Sequence, residues 1–234
     1  MKVIFFDIPK CATTSILVAL QDYIKPKTGI NLLNPEYGKG LARHVPLKSY
    51  ADFNLHVGAT VFTCVRNPYG RMVSLYNYYK KIGAKPNPKD LHELKASEYI
   101  YGKKITFSEF VYDCHQRNLE LPLADKLGCK TNMDIITGGH AAYHKMNIFP
   151  FSDVFLKNMT MMCFGPKIHH ILRYESLDQD WEKMCEKLNW PHTPLRKTNV
   201  SLGNNPWETF YNDEDLKMVS EIFKSDFEKF GYSI

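Results

Sequence analysis

The chain has 234 residues, a formal net charge of +5 at pH 7 and a hydrophobic content of 44%. This apolar content argues against intrinsic disorder, and the length is sufficient for one α/β domain with a sizeable core. No apolar run approaches the roughly 18 residues of a membrane-spanning helix, so we expect no membrane span. The basic residues are spread along the chain, which favours anionic small molecules or acidic glycans as partners over nucleic acid.

The six cysteines contain no Cys-x-x-Cys pair and no spacing typical of a zinc finger. They are typical of reduced, mostly buried thiols. No secretory signal precedes the first predicted strand. We therefore expect a cytoplasmic protein that folds as a single domain over residues 1–234, and its oligomeric state is left open by the sequence.

The first predicted strand leads into a turn and a helix that together suit an anion. Residues 3–6 form a continuous apolar run, as expected for a strand that is buried on both faces of a sheet. Residues 13–15 carry hydroxyl groups at the predicted start of a helix, where backbone N–H groups and the helix dipole favour a phosphate. Lys10 adds a mobile positive charge. An ordinary strand, turn and helix with a capping threonine explains this pattern equally well.

A second strand and helix repeat the pattern further along the chain. Residues 60–65 form an apolar strand, and Arg66 lies at its end. Asn67 suits the N-cap of a helix and Pro68 its first position. The repetition favours a pair of neighbouring anion sites over two unrelated turns.

The helix predicted after Pro68 carries two further polar candidates. Its apolar stripe leaves Arg71 and Ser74 three positions apart on a neighbouring face. Arg66 and Ser74 can therefore converge on one phosphate, with Arg66 supplying a planar fork of donors. Arg71 can join them or pair with a carboxylate.

The remaining elements are predicted from helix caps and apolar spacing. Thr106 and Glu109 match a capping box that opens a helix through about His115, and the polar residues 83–104 are typical of an insertion or lid. The later elements are a strand at 169–174, a helix at 180–188 and a last helix from the cap Asn212 to the stop Gly231. Strands that alternate with helices predict a parallel sheet, with a ligand at the carboxyl ends of its strands.

Four segments resemble the sulfotransferases. Residues 9–15, Pro-Lys-Cys-Ala-Thr-Thr-Ser, resemble their 5′-phosphosulfate-binding loop, and residues 66–76, which begin Arg-Asn-Pro-Tyr-Gly-Arg, resemble their 3′-phosphate-binding motif. Residues 172–177 and 226–232 are similar to segments common in the carbohydrate 2-O-sulfotransferase group. The resemblance implies a P-loop-like three-layer α/β fold with a central parallel sheet flanked by helices. Residues 83–165 match only loosely and are expected to contain an acceptor-facing insertion.

The resemblance also implies an activity. Such an enzyme moves the sulfuryl group of 3′-phosphoadenosine 5′-phosphosulfate (PAPS) to a hydroxyl acceptor by in-line transfer and leaves adenosine 3′,5′-bisphosphate. A carbohydrate is the expected acceptor, with other hydroxyl-bearing molecules left open. No metal is required, and His140 and His144, four positions apart, are weak evidence for one because no third ligand is evident.

The resemblance assigns site residues by position. Cofactor binding falls to Lys10, Cys11, Ala12, Thr13, Thr14, Ser15, Arg66, Arg71, Ser74 and Lys197. Lys10 is also expected to neutralise the leaving phosphate, so that its loss damages turnover more than binding. His44 is the expected base, although it can instead pack against the loop, and the basic loop around Lys197 can equally be a solvated linker. Ala12 stands where the family usually has glycine, a substitution that strains the loop if the position needs a positive φ.

Two alternatives remain. One is an ATP-dependent P-loop-like kinase, which the missing Gly-x-x-x-x-Gly-Lys-Ser/Thr pattern disfavours. The other is a non-catalytic module that binds a nucleotide or RNA, which predicts a steep salt dependence with polynucleotide and no role for Lys10 in a reaction.

Overall fold

A computed structural model describes residues 1–33, 47, 51, 54–120, 158–163, 165–196 and 205–234. Within them lies a four-stranded parallel sheet with the order β2-β1-β3-β4. Its strands are β1 (Lys2–Phe6), β2 (Asn31–Leu32), β3 (Ala59–Val65) and β4 (His170–Arg173). The two central strands are almost wholly buried, as their continuous apolar sequences predict.

The helices of the described residues alternate with these strands and then follow one another towards the C-terminus. They are α1 (Thr13–Val18), α2 (Lys25–Thr28), α3 (Pro68–Ala84), α4 (Leu91–Ser97), α5 (Phe107–Glu120), α6 (Met159–Met162), α7 (Leu177–Lys187), α8 (Asp213–Ile222) and α9 (Lys224–Phe230). Shorter helical turns are the π-helical Ala19–Ile24 and Glu98–Gly102 and the 3-10 turns Tyr174–Ser176 and Trp207–Phe210. The predicted α/β fold with a central parallel sheet and flanking helices is confirmed.

The described residues form two compact units. Unit 1 comprises residues 1–66 and 161–196 and contains the whole sheet with α1, α2 and α7. Unit 2 comprises residues 67–120, 158–160 and 205–234 and contains α3, α4, α5, α8 and α9. The single domain expected from the sequence stays a prediction. In the part of the chain that is described, no helix combines the length and the apolar character that a membrane span needs.

Several helix ends follow from the cap residues that the sequence displays. The side chain of Asn67 accepts a hydrogen bond of 2.9 Å from the Tyr69 N–H, and Pro68 is the first residue of α3. Thr106 and Glu109 form the predicted capping box, with 2.8 Å between the Thr106 nitrogen and Glu109 Oε2. The helix that they open continues to Glu120, beyond the predicted His115.

Two regions differ from the sequence prediction. The last helix is divided into α8 and α9 because Phe223 leaves the helical conformation, with φ −114° and ψ 24°. Residues 83–104, expected to be a polar lid, contain α4 and a π-helical turn. Ala96, Tyr99 and Ile100 are buried there, and a Cβ added to Gly83 would lie 3.0 Å from the Ala96 backbone, so this stretch contributes to the core of unit 2.

Candidate functional site

The loop between β1 and α1 has an unusual backbone. Lys10 and Ala12 both have positive φ, at 66° and 56°, whereas Cys11 between them does not. Alternating handedness of this kind is the backbone pattern found in anion-binding nests, although the Cys11 N–H is used inside the loop in a hydrogen bond to the Ile8 carbonyl. The positive φ of Ala12 meets the condition under which alanine strains this loop. The phosphate loop stays a prediction, and this backbone conformation is a feature that the sequence alone does not display.

Hydrogen bonds fix this loop to the end of the strand before it. The Cys11 N–H donates to the Ile8 carbonyl at 3.3 Å, and the Thr13 hydroxyl donates to the same oxygen at 3.0 Å. Thr13 and Ser15 are buried, and Thr14 is half-buried at the first turn of α1. The Thr13 hydroxyl proton thus maintains the loop, so of the three predicted hydroxyl donors Thr13 already uses its proton inside the protein.

Arg66 lies beside this loop at the carboxyl end of β3. Its Nη1 donates to the backbone carbonyl of Lys10 at 3.3 Å. Parallel pairing explains the proximity, because Phe6 of β1 pairs with Thr63 of β3, and both chains leave the sheet at the same edge. The two segments that the sequence predicts as anion sites therefore meet in unit 1 through Lys10 and Arg66.

The guanidinium of Arg66 also has an aromatic neighbour. Val65 of β3 pairs with Arg173 of β4, so the residues that follow, Arg66 and Tyr174, leave neighbouring strands side by side. The Arg66 Cζ lies 3.9 Å from the centroid of the Tyr174 ring, a cation–π contact. Sequence reasoning missed Tyr174, although its position as the last residue of the strand predicted at 169–174 is the signal that could have identified it.

The thiol of Cys64, on β3, is buried close to these groups. Burial raises the pKa of the Cys64 thiol well above its ordinary value, and the charges of Cys11 and Glu175 raise it further, against the opposing effect of Arg66. Cys64 is therefore a neutral thiol at physiological pH and a poor nucleophile. The positively charged side chains of the two loops that follow β1 and β3 are those of Lys10 and Arg66.

Arg71 has a different environment in unit 2. Its side chain is 2% exposed, and its Nη1 lies 4.0 Å from Oδ2 of the fully buried Asp226. Asp226 also accepts hydrogen bonds from the N–H groups of Met159 and Thr160, at 2.8 and 2.7 Å. Burial raises the pKa of Asp226, and Arg71 and the two N–H groups oppose that rise. The contact of Arg71 with a carboxylate is thus the alternative that the sequence left open.

The other predicted site residues divide into two groups. Ser74 is buried on α3, in unit 2, three residues after Arg71. His44 and Lys197 lie outside the described residues, as do His140 and His144. Among the residues that are described, no three or more His, Cys, Asp or Glu side chains are grouped in a way that would hold a metal ion.

Comparison with known proteins identifies a family. Residues 1–233 match the sequence model of the Sulfotransferase family. A search of curated proteins finds no match, and a search of solved structures finds none either. Because the family model covers nearly the whole length, the chain belongs to the sulfotransferase family.

Proposed function

We propose that this protein transfers the sulfuryl group of PAPS to a hydroxyl group of a carbohydrate acceptor. Membership of the family implies sulfuryl transfer in general, and the donor and acceptor are the proposal. The observation that carries it is the contact of Arg66 with the carbonyl of Lys10, which joins the two predicted anion segments within unit 1.

The residues of unit 1 fit a nucleotide with two phosphate groups. The loop of residues 9–15 offers a backbone nest and the first turn of a helix, both of which favour an anion. Lys10 offers a point charge, and Arg66 offers a planar fork of donors suited to a phosphate. When bound, the donor supplies the sulfuryl group and a leaving phosphate.

The predicted site residues then have the following roles. Lys10 neutralises the negative charge that develops on the leaving phosphate, and the N–H groups of residues 13–15 hold that phosphate. Arg66 binds the 3′-phosphate, and the family pattern assigns Ser74, on α3 in unit 2, to cofactor binding as well. Lys197 adds charge on the same pattern. The ion pair of Arg71 with Asp226 favours a structural role for Arg71, which supports α3 and does not bind the nucleotide.

The acceptor side of the reaction is assigned to His44. Its imidazole takes the proton of the acceptor hydroxyl as that oxygen bonds to sulfur. A carbohydrate acceptor is supported by the similarity of residues 172–177 and 226–232 to the carbohydrate 2-O-sulfotransferase group. We place the enzyme in the cytoplasm, since the five described cysteines are buried and form no disulfide, as is typical of a reducing compartment.

Calorimetric titration with adenosine 3′,5′-bisphosphate and with ADP tests this proposal. We expect the bisphosphate to bind at least about tenfold more tightly than ADP, because charge-assisted hydrogen bonds at the 3′-phosphate are absent from ADP. Arg66→Ala should lose most of this preference. Arg117→Ala, which removes a positive charge from α5 in unit 2, should retain it.

Two results would count against the proposal. Equal or tighter binding of ADP would remove the 3′-phosphate site and favour the kinase. Loss of the preference in Arg117→Ala to the same degree as in Arg66→Ala would mean that net charge, and no particular site, attracts the bisphosphate.

A further inference from the structure

We propose that Tyr174 is a positioning residue, whose ring holds the guanidinium of Arg66 ready for the 3′-phosphate of the nucleotide. This inference rests on the proposed function, because it assigns a residue to the same phosphate site. It goes beyond the family pattern of that site by adding a side chain that acts through Arg66 and need not touch the ligand.

The position of the Tyr174 ring follows from the sheet. The pairing of Val65 with Arg173 brings the carboxyl ends of β3 and β4 to one edge, and the 3-10 turn Tyr174–Ser176 begins there. The ring centroid then lies 3.9 Å from the Arg66 Cζ. The pairing of β3 with β4 therefore places the backbones of Arg66 and Tyr174 side by side.

A second contact restrains the same guanidinium. Arg66 Nη1 donates to the Lys10 carbonyl at 3.3 Å. This bond uses one of the five N–H donors of the guanidinium, whereas the Tyr174 ring lies against its central carbon, 3.9 Å from the ring centroid. Stacking and hydrogen bonding thus use different parts of Arg66. The ring can restrain the side chain without competing for the donors that would bind a phosphate.

The energetic role of this restraint is preorganisation. A long arginine side chain loses rotamer freedom when it binds a ligand, and this loss lowers affinity. A cation–π contact that forms before binding already orders the side chain, so less rotamer freedom is lost when the ligand binds. Its removal should therefore weaken the 3′-phosphate interaction while leaving the interaction with the 5′-phosphate loop unchanged.

Exposure makes Tyr174 a suitable residue for a test. Its side chain is 41% exposed, so replacing it should disturb the fold little. Tyr174→Leu keeps apolar bulk but has no π face, whereas Tyr174→Phe keeps the ring. Tyr112, on α5 in unit 2, is 53% exposed, and Tyr112→Leu is a matched control for the loss of a surface ring.

The experiment compares the affinities of adenosine 3′,5′-bisphosphate and AMP by calorimetry, with the ratio of the two as the readout. AMP lacks only the 3′-phosphate, so its affinity also reports whether each variant retains an intact loop. In Tyr174→Leu we expect the ratio to fall about threefold to tenfold with AMP affinity unchanged. Tyr174→Phe and Tyr112→Leu should keep the ratio of the unaltered protein.

The outcomes separate this inference from the proposed function. If the unaltered protein binds the two nucleotides equally, the 3′-phosphate site itself is absent and both proposals fail. If the unaltered protein prefers the bisphosphate and Tyr174→Leu keeps that preference in full, only the positioning role is overturned. An equal loss in Tyr174→Leu and Tyr174→Phe would attribute the effect to the hydroxyl group and would also overturn it, as would an equal loss of affinity for both nucleotides in Tyr174→Leu.

Discussion

Arg66 and Arg71 lie five residues apart in one sequence motif, yet they occupy opposite kinds of environment. Arg66 is half-buried in unit 1, where it contacts a backbone carbonyl and an exposed ring. Arg71 is 2% exposed in unit 2 and faces the buried carboxylate of Asp226. The sequence pattern treats both as phosphate ligands, whereas the structure gives them different partners.

The burial of each arginine determines whether its charge can act on a ligand or only within the protein. A buried charge needs a partner inside the protein, because its desolvation otherwise costs several kcal/mol. Arg71 meets that requirement through Asp226, which also caps the first N–H groups of α6. Arg66 remains partly hydrated and can exchange water for a ligand. We therefore expect Arg71 to determine stability and Arg66 to determine binding.

Removal of Arg71 gives the largest expected effect. Arg71→Met leaves the carboxylate of Asp226 buried without its opposite charge, and we expect a loss of about 3–5 kcal/mol in the free energy of unfolding. The matched change Arg66→Met should cost about 1 kcal/mol or less, because that side chain is partly exposed. Urea denaturation of both variants at pH 7 measures the difference. Equal losses of stability in the two variants would contradict the assignment of stability to Arg71 and of binding to Arg66.

The loss in Arg71→Met should depend on pH. Burial already raises the pKa of Asp226 above its ordinary value of 3.8, and Arg71 is the largest influence that opposes the rise. Without Arg71 the folded protein retains this proton to higher pH than the unfolded chain does. Stability therefore falls as pH rises from 3.8 through the folded-state pKa. The cost of Arg71→Met should be smallest near pH 4, and a cost that grows towards acid pH would contradict this account.

Exchange of arginine for lysine tests whether Arg66 and Arg71 differ in their contribution to nucleotide binding. Arg66→Lys keeps the charge but loses the planar fork and most of the stacking on Tyr174, so the preference for adenosine 3′,5′-bisphosphate over AMP should fall about tenfold. Its unfolding midpoint should change little. Calorimetry and thermal unfolding measure the two effects. If Arg71→Lys, tested while folded, lost the same preference, both arginines would serve the nucleotide.

Local contacts were predictable from the sequence, because the residues that make them are neighbours in the chain. The Asn67 cap, the capping box of Thr106 and Glu109, and the helix end at Gly231, with φ 65°, were all expected from their residue types. The buried strands of the parallel sheet followed from continuous apolar runs. These features require only the chemistry of a few adjacent residues.

Contacts between distant segments were not predictable in the same way. The stacking of Tyr174 on Arg66 depends on the register between β3 and β4, and no local pattern fixes that register. The ion pair of Arg71 with Asp226 depends on the packing of α3 against α9 in unit 2. Sequence analysis therefore identified the motif around Arg66 but could not separate the partly exposed Arg66 from the buried Arg71.

The smallest expected effect concerns the loop that Arg66 contacts. Ala12 has φ 56° and ψ 19°, a left-handed conformation that costs an L-residue roughly 1–2 kcal/mol, whereas glycine adopts it readily. Part of the gain in Ala12→Gly is lost to the greater freedom of glycine in the unfolded chain, so the free energy of unfolding should rise by about 0.5–1 kcal/mol. Ala19→Gly is the matched control, since Ala19 is buried with φ −59° in the right-handed region and should lose about 1 kcal/mol. Chemical denaturation measures both changes. If Ala12→Gly destabilised the protein, the packing of the Ala12 methyl group would contribute more to stability than the positive φ costs. The strained backbone would then not be a distinguishing feature of this region, and only the side chains of Arg66 and Lys10 would remain.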